Sequence, residues 1–79
     1  MEWVFIFIVM RNYIERLELV EYISSKYKGD IIRIEQSENE ESAAVITMYN
    51  LRPSLKIYLQ GKEDITVSKG IDFAEIIIF

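Results

Sequence analysis

A run of eight apolar residues, Trp3 to Met10 (WVFIFIVM), constrains the fold of this chain more than any other feature. A transmembrane helix needs about 20 apolar residues, so the run is too short to be one. A signal peptide would begin with basic residues, whereas Glu2 precedes this run and Arg11 follows it. Because the run is rich in aromatic and β-branched side chains, we expect a β-strand over 3–10 that is buried on both faces.

A helix is expected to follow over 12–28. Asn12 is a suitable N-cap, and Glu15 stands three residues later, as in a capping box. Gly29 is placed to end the helix in the left-handed conformation. One apolar stripe at helical spacing would face the core: Tyr13, Leu17, Val20, Ile23 and Tyr27.

The rest of the chain reads mainly as strands. Residues 30–36 alternate like an edge strand with one solvated face, and 42–49 are apolar on both faces, so the two predict a β-hairpin. The stretch 52–60 fits both a short helix and an alternating strand, and this choice stays open. Shorter strands are expected at 64–68 and 73–79.

These patterns place strands 3–10 and 42–49 at the centre of a sheet and 30–36 at its edge. We therefore predict a single α+β domain over 1–79, a ferredoxin-like βαββαβ sandwich with an extra C-terminal strand. In that fold a helix at 52–60 would join the first helix on one face of the sheet. The alternative is one helix packed on a five- or six-strand antiparallel meander.

Composition narrows the function. The chain has 79 residues with no Cys and no His, so disulfides and the commonest metal ligands are missing. Since a domain of this size is marginally stable alone, we expect a homo-oligomer, with a dimer as the simplest form. The net charge of −4 and the pI of about 4.7 argue against nucleic-acid binding. We expect a cytoplasmic protein that is not bound to a membrane.

No motif predicts catalysis or a cofactor. Glu63 and Asp64 are adjacent, so in a strand their side chains would point to opposite faces. The three glycines are too scattered for a phosphate-binding loop, and the acidic stretch 35–41 lacks the spacing of a calcium loop. We therefore predict a non-enzymatic protein with no catalytic residues, no metal and no cofactor.

The two-sided apolar strands predict an interface instead. If the helices cover the aliphatic face, the opposite face of the sheet would show a large apolar patch, and such patches are rarely left in water. The predicted interface consists of Trp3, Phe5, Phe7, Val45, Thr47 and Tyr49. We therefore expect a small binding or regulatory domain that self-associates through this open sheet face.

An open sheet face with aromatic side chains is similar to the RNA-recognition motif. That family stacks bases on a third strand with a basic residue and glycines, whereas SAAVITMY has neither and offers only Tyr49. Together with the acidic pI, this departure predicts no RNA binding.

The order of elements over 3–68 resembles the amino-acid-sensing ACT domains. Those domains bind their effectors beside the first strand–helix loop, here MRNYIE, and the resemblance implies Asn12 as a ligand group, although the glycine usual in that turn is absent. A small-molecule sensor is therefore one alternative function. Another is an acidic inhibitor protein of a mobile element, which would contact a basic partner protein through Glu38, Glu40 and Glu41.

Overall fold

The computed structural model describes the backbone of residues 2–36, 43–62 and 64–79, and the side chains of these ranges from residue 13 onward. The elements in chain order are helix α1 (Glu2–Lys26), a 3₁₀ turn (Lys28–Asp30), strands β1 (Ile31–Glu35) and β2 (Ala44–Met48), helix α2 (Pro53–Leu59), and strands β3 (Ile65–Lys69) and β4 (Ala74–Ile78). Within these ranges the chain is an α+β structure with two α-helices and one four-stranded antiparallel sheet, so the predicted class is confirmed.

Strand β4 completes the centre of the sheet. The strand order is β1-β2-β4-β3, and neighbouring strands are antiparallel. Along its whole length β4 pairs with β2 on one side and with β3 on the other, so that Ile76 lies opposite Ile46 and opposite Val67. Because both edges of β4 are used, no central position is left for another strand.

The predicted strand over 3–10 is wrong, because these residues belong to α1. A continuous apolar run is compatible with a helix as well as with a strand, and no Gly or Pro interrupts 2–26. The predicted helix exists but begins at Glu2 and ends at Lys26, so Asn12 lies inside it and is not an N-cap. Gly29 belongs to the 3₁₀ turn and does not adopt a positive φ.

The ferredoxin-like arrangement is not confirmed. Its βαββαβ order needs a strand before the first helix, whereas the described chain runs αββαββ. The strand predicted as an extra C-terminal one is β4, which occupies the position between β2 and β3 that the predicted fold gave to 3–10. The alternative of one helix on a longer meander is also wrong, since α2 provides a second helix and the described sheet has four strands.

The remaining predicted elements are confirmed with small shifts at their ends. β1 and β2 form the expected hairpin, with β1 at an edge of the sheet. The open choice at 52–60 is decided in favour of a helix, which has Pro53 at its start. Gly61 follows this helix with φ +79°, a conformation that glycine adopts without steric cost.

The core lies between the sheet and the two helices. The central strands place alternate side chains on the covered face, and β2 and β4 both follow a strict alternation of buried and half-buried residues. The buried apolar residues are Val20, Ile23, Tyr27, Ala44, Ile46, Met48, Leu55, Leu59, Ala74, Ile76 and Ile78. The predicted stripe of α1 is therefore right for Val20, Ile23 and Tyr27, and Arg16 unexpectedly continues it, since it is 5% exposed.

Candidate functional site

The open face of the sheet is more polar than predicted. Strand pairing arranges its residues in two cross-strand rows, because facing residues share one side of a sheet: Arg33, Thr47, Glu75 and Ser68 in one row, and Glu35, Val45, Ile77 and Thr66 in the other. The Arg33 guanidinium lies 2.9 Å from the Glu35 carboxylate on this face. Only Val45 and Ile77, which face each other at the centre, are apolar in these rows.

The structure does not bring the six predicted interface residues together. Val45 and Thr47 are half-buried on the open face, and Tyr49 is 63% exposed just beyond β2. The remaining three residues belong to α1, not to the sheet, and their side chains lie outside the described residues: Trp3, Phe5 and Phe7. The large apolar patch was expected because 3–10 was assigned to the sheet.

The two weaker predicted sites have different outcomes. Asn12 lies within α1, so the strand–helix loop that a sensor site would require is replaced by helix. The side chain of Asn12 lies outside the described residues. Glu38, Glu40 and Glu41 also lie outside the described residues, and their contact with a basic partner stays a prediction.

A groove of about 590 Å³ lies beside the middle of α1. It lies at the end of the sheet where β3 begins and β4 ends. Leu19 lines it from α1, and Ile65, Ile78 and Phe79 line it from the sheet. No sequence pattern indicates this groove, because its walls come from segments far apart in the chain.

Charged residues surround the apolar part of the groove. Glu15 and Glu18 come from α1, and Asp64 comes from the turn before β3. Two cations, Arg16 and Lys62, also line it, and Arg16 lies 5.2 Å from the centroid of the Tyr13 ring. The groove is thus lined by apolar residues, by three acidic residues that form its acidic rim (Glu15, Glu18 and Asp64) and by two cations.

A ladder of aromatic and basic side chains joins the two helices at one wall of the groove. The rings of Tyr22 and Tyr58 stack with their centroids 4.6 Å apart. Lys62 lies 4.6 Å from the centroid of the Tyr58 ring, and Lys26 lies 5.5 Å from that of Tyr22, both within cation–π range. The Tyr22 hydroxyl also accepts a hydrogen bond from Lys26 Nζ, which raises the pKa of this ammonium group.

This ladder had a sequence signal. The stretches YISSK and YLQGK each place a Tyr four residues before a Lys, the spacing at which two side chains meet on a helix. The first pair lies within α1, and the second spans the end of α2 and Gly61. No sequence pattern indicated that these two tyrosines stack on each other.

Polar contacts anchor the opposite end of the helical layer. The Arg52 side chain donates to Asp30 with an Nε–Oδ2 distance of 2.5 Å, which connects the 3₁₀ turn to the start of α2. Hydrogen bonding to this guanidinium lowers the pKa of the Asp30 carboxyl. The hydroxyls of Tyr27 and Ser54 are hydrogen-bonded at 2.8 Å across the same junction.

The described residues contain no group of three or more acidic side chains placed to hold a metal ion. In the same part of the chain, no helix is both long enough and apolar enough to cross a membrane. In comparisons with known proteins, no protein-family model matches this chain, and no curated protein or solved structure is significantly similar to it.

Proposed function

We propose that this chain is a non-enzymatic binding domain that acts as a homo-oligomer, and that the N-terminal segment of α1 (residues 2–12) forms the contact between copies. The observation that carries the proposal is the length of α1 compared with the sheet beneath it. The aromatic residues of the predicted interface, Trp3, Phe5 and Phe7, thus keep their proposed role but perform it on a helix.

Helix α1 is too long to lie on the sheet along its whole length. Its 25 residues span about 37 Å at a rise of about 1.5 Å per residue. Each strand has five residues and spans about 17 Å, and the four strands extend about 14 Å across, so the diagonal of the sheet is about 22 Å. The docked segment of α1 (residues 16–26) contains the buried residues of this helix that the structure describes. The N-terminal segment extends beyond the sheet.

The N-terminal segment has the composition of a buried helix. Residues 3–10 are all apolar, and a helix that is apolar on every side belongs in a protein core, in an interface or in a membrane. A short helix without tertiary contacts is also marginal in water. A second copy of the chain would provide the cover that this segment needs.

The aromatic residues supply about half of the contact area that a specific dimer needs. Buried aromatic side chains each remove about 150–250 Å² from water, so Trp3 and Phe7, whose positions share one face of the helix, account for about 300–500 Å² of one copy. Phe5, on the other side, adds to this where the contact wraps around the helix. A specific interface buries about 800 Å² per partner. The open sheet face offers less, because its central apolar residues are only Val45 and Ile77.

Light scattering coupled to gel filtration tests this proposal. The wild-type protein is expected at a mass of at least twice 9.4 kDa. Phe7→Lys is expected to reduce the mass to that of one chain, because a buried unpaired ammonium in the contact is costly. Circular dichroism of the same variant should retain helix and strand signals, which separates dissociation from unfolding.

Thr47→Lys is the matched control, since it places the same charge on the open sheet face. It is expected to leave the mass unchanged. A monomeric wild-type protein would refute the proposal, and so would binding of that monomer to phosphatidylcholine vesicles, which would assign the segment to a membrane surface. Dissociation by Thr47→Lys but not by Phe7→Lys would move the interface to the sheet.

A further inference from the structure

We infer, on the basis of the proposed function, that two copies pair with their α1 helices antiparallel, and that the N-terminal segment of each lies in the groove of the other. The groove lies alongside the first half of the docked segment, so an antiparallel partner helix that packs against this part of α1 enters it directly.

One face of α1 continues from the groove into the N-terminal segment. Steps of three and four residues keep positions on one face of a helix. From the groove residues Tyr22 and Glu15, such steps lead to Arg11, then Ile8, then Val4. An isologous dimer, in which the same surface of both copies is used, would therefore pair this face with itself.

One register pairs Arg11 with an acidic residue and places Val4 and Ile8 beside apolar or aromatic side chains of the groove. If Arg11 lies opposite Glu15 of the second copy, Val4 lies opposite Tyr22, and Ile8 lies opposite Glu18 and next to Leu19. Arg11 is the only basic residue in the first 15 positions, and it would meet the acidic rim of the groove. A carboxylate accepts several hydrogen bonds, so this contact is compatible with the interactions that Glu15 makes within its own chain.

The far wall of the groove supplies the rest of the cover. Ile65, Ile78 and Phe79 form an apolar surface at the end of the sheet, and Phe79 is 56% exposed. A partner helix in the groove would therefore have α1 on one side and these residues on the other. Two-fold symmetry makes each contact occur twice.

Engineered cysteines test the register cleanly, because the chain has none of its own. In the inferred dimer, Ile8→Cys combined with Glu18→Cys should form disulfides between copies under mild oxidation. Within one chain these positions are about 15 Å apart along the helix, too far for a disulfide, whose Cα atoms lie about 4.4–6.8 Å apart. The single variants Ile8→Cys and Glu18→Cys should not cross-link. In this register each of these positions lies about 15 Å along the helix axis from the same position in the second copy.

The outcomes separate this inference from the proposed function. Cross-linking by Ile8→Cys alone would indicate parallel helices and overturn the antiparallel pairing while leaving self-association intact. A dimer in which neither single nor double variants cross-link would show that the α1 helices do not face each other, which also overturns it. A monomeric wild-type protein would refute the proposed function itself.

Charge reversal provides a second readout. Arg11→Glu is expected to raise the dissociation constant of the dimer by about tenfold, since two symmetric ion pairs are lost and each exposed pair contributes little. Adding Glu15→Lys should restore most of the affinity, because opposite charges again face each other across the interface. If the double variant binds no better than Arg11→Glu alone, Arg11 does not meet the acidic rim.

Discussion

The two parts of α1 differ in the pattern of their residues, although they form one continuous helix. The docked segment alternates buried and exposed positions, with Val20 and Ile23 buried and Glu21 and Ser25 exposed. In the N-terminal segment, residues 3–10 are all apolar and have no helical period. The docked segment could therefore be recognised as a helix from its sequence, whereas the N-terminal segment could not be distinguished from a strand.

This difference also indicates what each part packs against. A helix on the surface of a single domain has one apolar stripe, because only one side meets the core. The docked segment has such a stripe and contributes it to the core of its own chain. A segment that is apolar on all sides requires cover from more than one direction, which agrees with a role between copies.

The largest effect on the free energy of unfolding is expected from a substitution in the docked segment. A matched substitution in the N-terminal segment tests the difference between the two parts of α1. Ile23 is fully buried, so Ile23→Ala should lower the free energy of unfolding by about 2–5 kcal/mol. Since a domain of this length has a total stability of about 4–12 kcal/mol, this loss is a large fraction of the total. Urea denaturation followed by circular dichroism measures this.

Ile8→Ala is the counterpart in the N-terminal segment. At protein concentrations where the chain is monomeric, it should change the free energy of unfolding by less than about 0.5 kcal/mol. At higher concentrations its effect should grow, because association stabilises the folded state by mass action. A large effect of Ile8→Ala that does not depend on concentration would contradict the distinction between the two parts.

An intermediate effect is expected where the helical layer returns to the sheet. Gly61 adopts φ +79°, and no atom lies within 4 Å of the place that a Cβ would take, so Gly61→Ala meets a backbone penalty alone, about 1–2 kcal/mol. Thermal unfolding should detect this as a lower melting temperature.

The matched control is Gly29→Ala in the 3₁₀ turn after α1. Gly29 also has no atom within 4 Å but lacks a positive φ, so this change should be neutral or stabilise by up to about 1 kcal/mol through the unfolded state. Equal destabilisation by both variants would show that the turn after the docked segment also needs glycine.

The smallest effect is expected from the ion pair that connects the 3₁₀ turn after the docked segment to the start of α2. Arg52 holds the pKa of Asp30 below its ordinary value of 3.8, so the folded state binds a proton on this group less readily than the unfolded state does. The pair therefore contributes stability that is fully present above about pH 4 and is lost as the pH falls through the lowered pKa of Asp30. Asp30→Asn should slightly destabilise the protein at pH 7 and flatten the decline of its stability in acid.

Urea denaturation at several pH values between about 2 and 7 measures this dependence. Arg52→Gln should flatten the decline to the same extent, because each variant removes the same interaction. An acid dependence unchanged from that of the wild type in either variant would show that the pair does not contribute to stability.

Sequence patterns predicted secondary structure and burial well wherever one face of a helix or strand meets the core. Residues 44–48 alternate as expected, with Ile46 and Met48 on the covered face and Val45 and Thr47 on the open one. The edge position of β1 followed from its charged residues. At 52–60 the two periods overlapped, and the helix with Pro53 at its start is the one that covers the sheet, through Leu55 and Leu59.

The candidate site was much less predictable than these elements. The groove depends on Tyr22 stacking against Tyr58 and on Leu19 and Ile78 lining the same space, which brings distant parts of the chain together. Its individual residues have no unusual spacing apart from the two Tyr–Lys pairs. Long-range contacts of this kind have no local signal, because each side chain satisfies its own helix or strand equally well without them.

By itself, the amino-acid sequence determined that this chain has an α+β structure, a helix through 13–26, a hairpin at its centre and no cysteine or histidine chemistry. Only the tertiary structure decided which apolar segment became the central strand. Both 3–10 and 74–78 are apolar enough for that position, but a strand is stabilised by neighbours far away in the chain, whereas a helix satisfies its backbone hydrogen bonds locally. Once β4 pairs with both β2 and β3, residues 3–10 satisfy their backbone hydrogen bonds by extending α1.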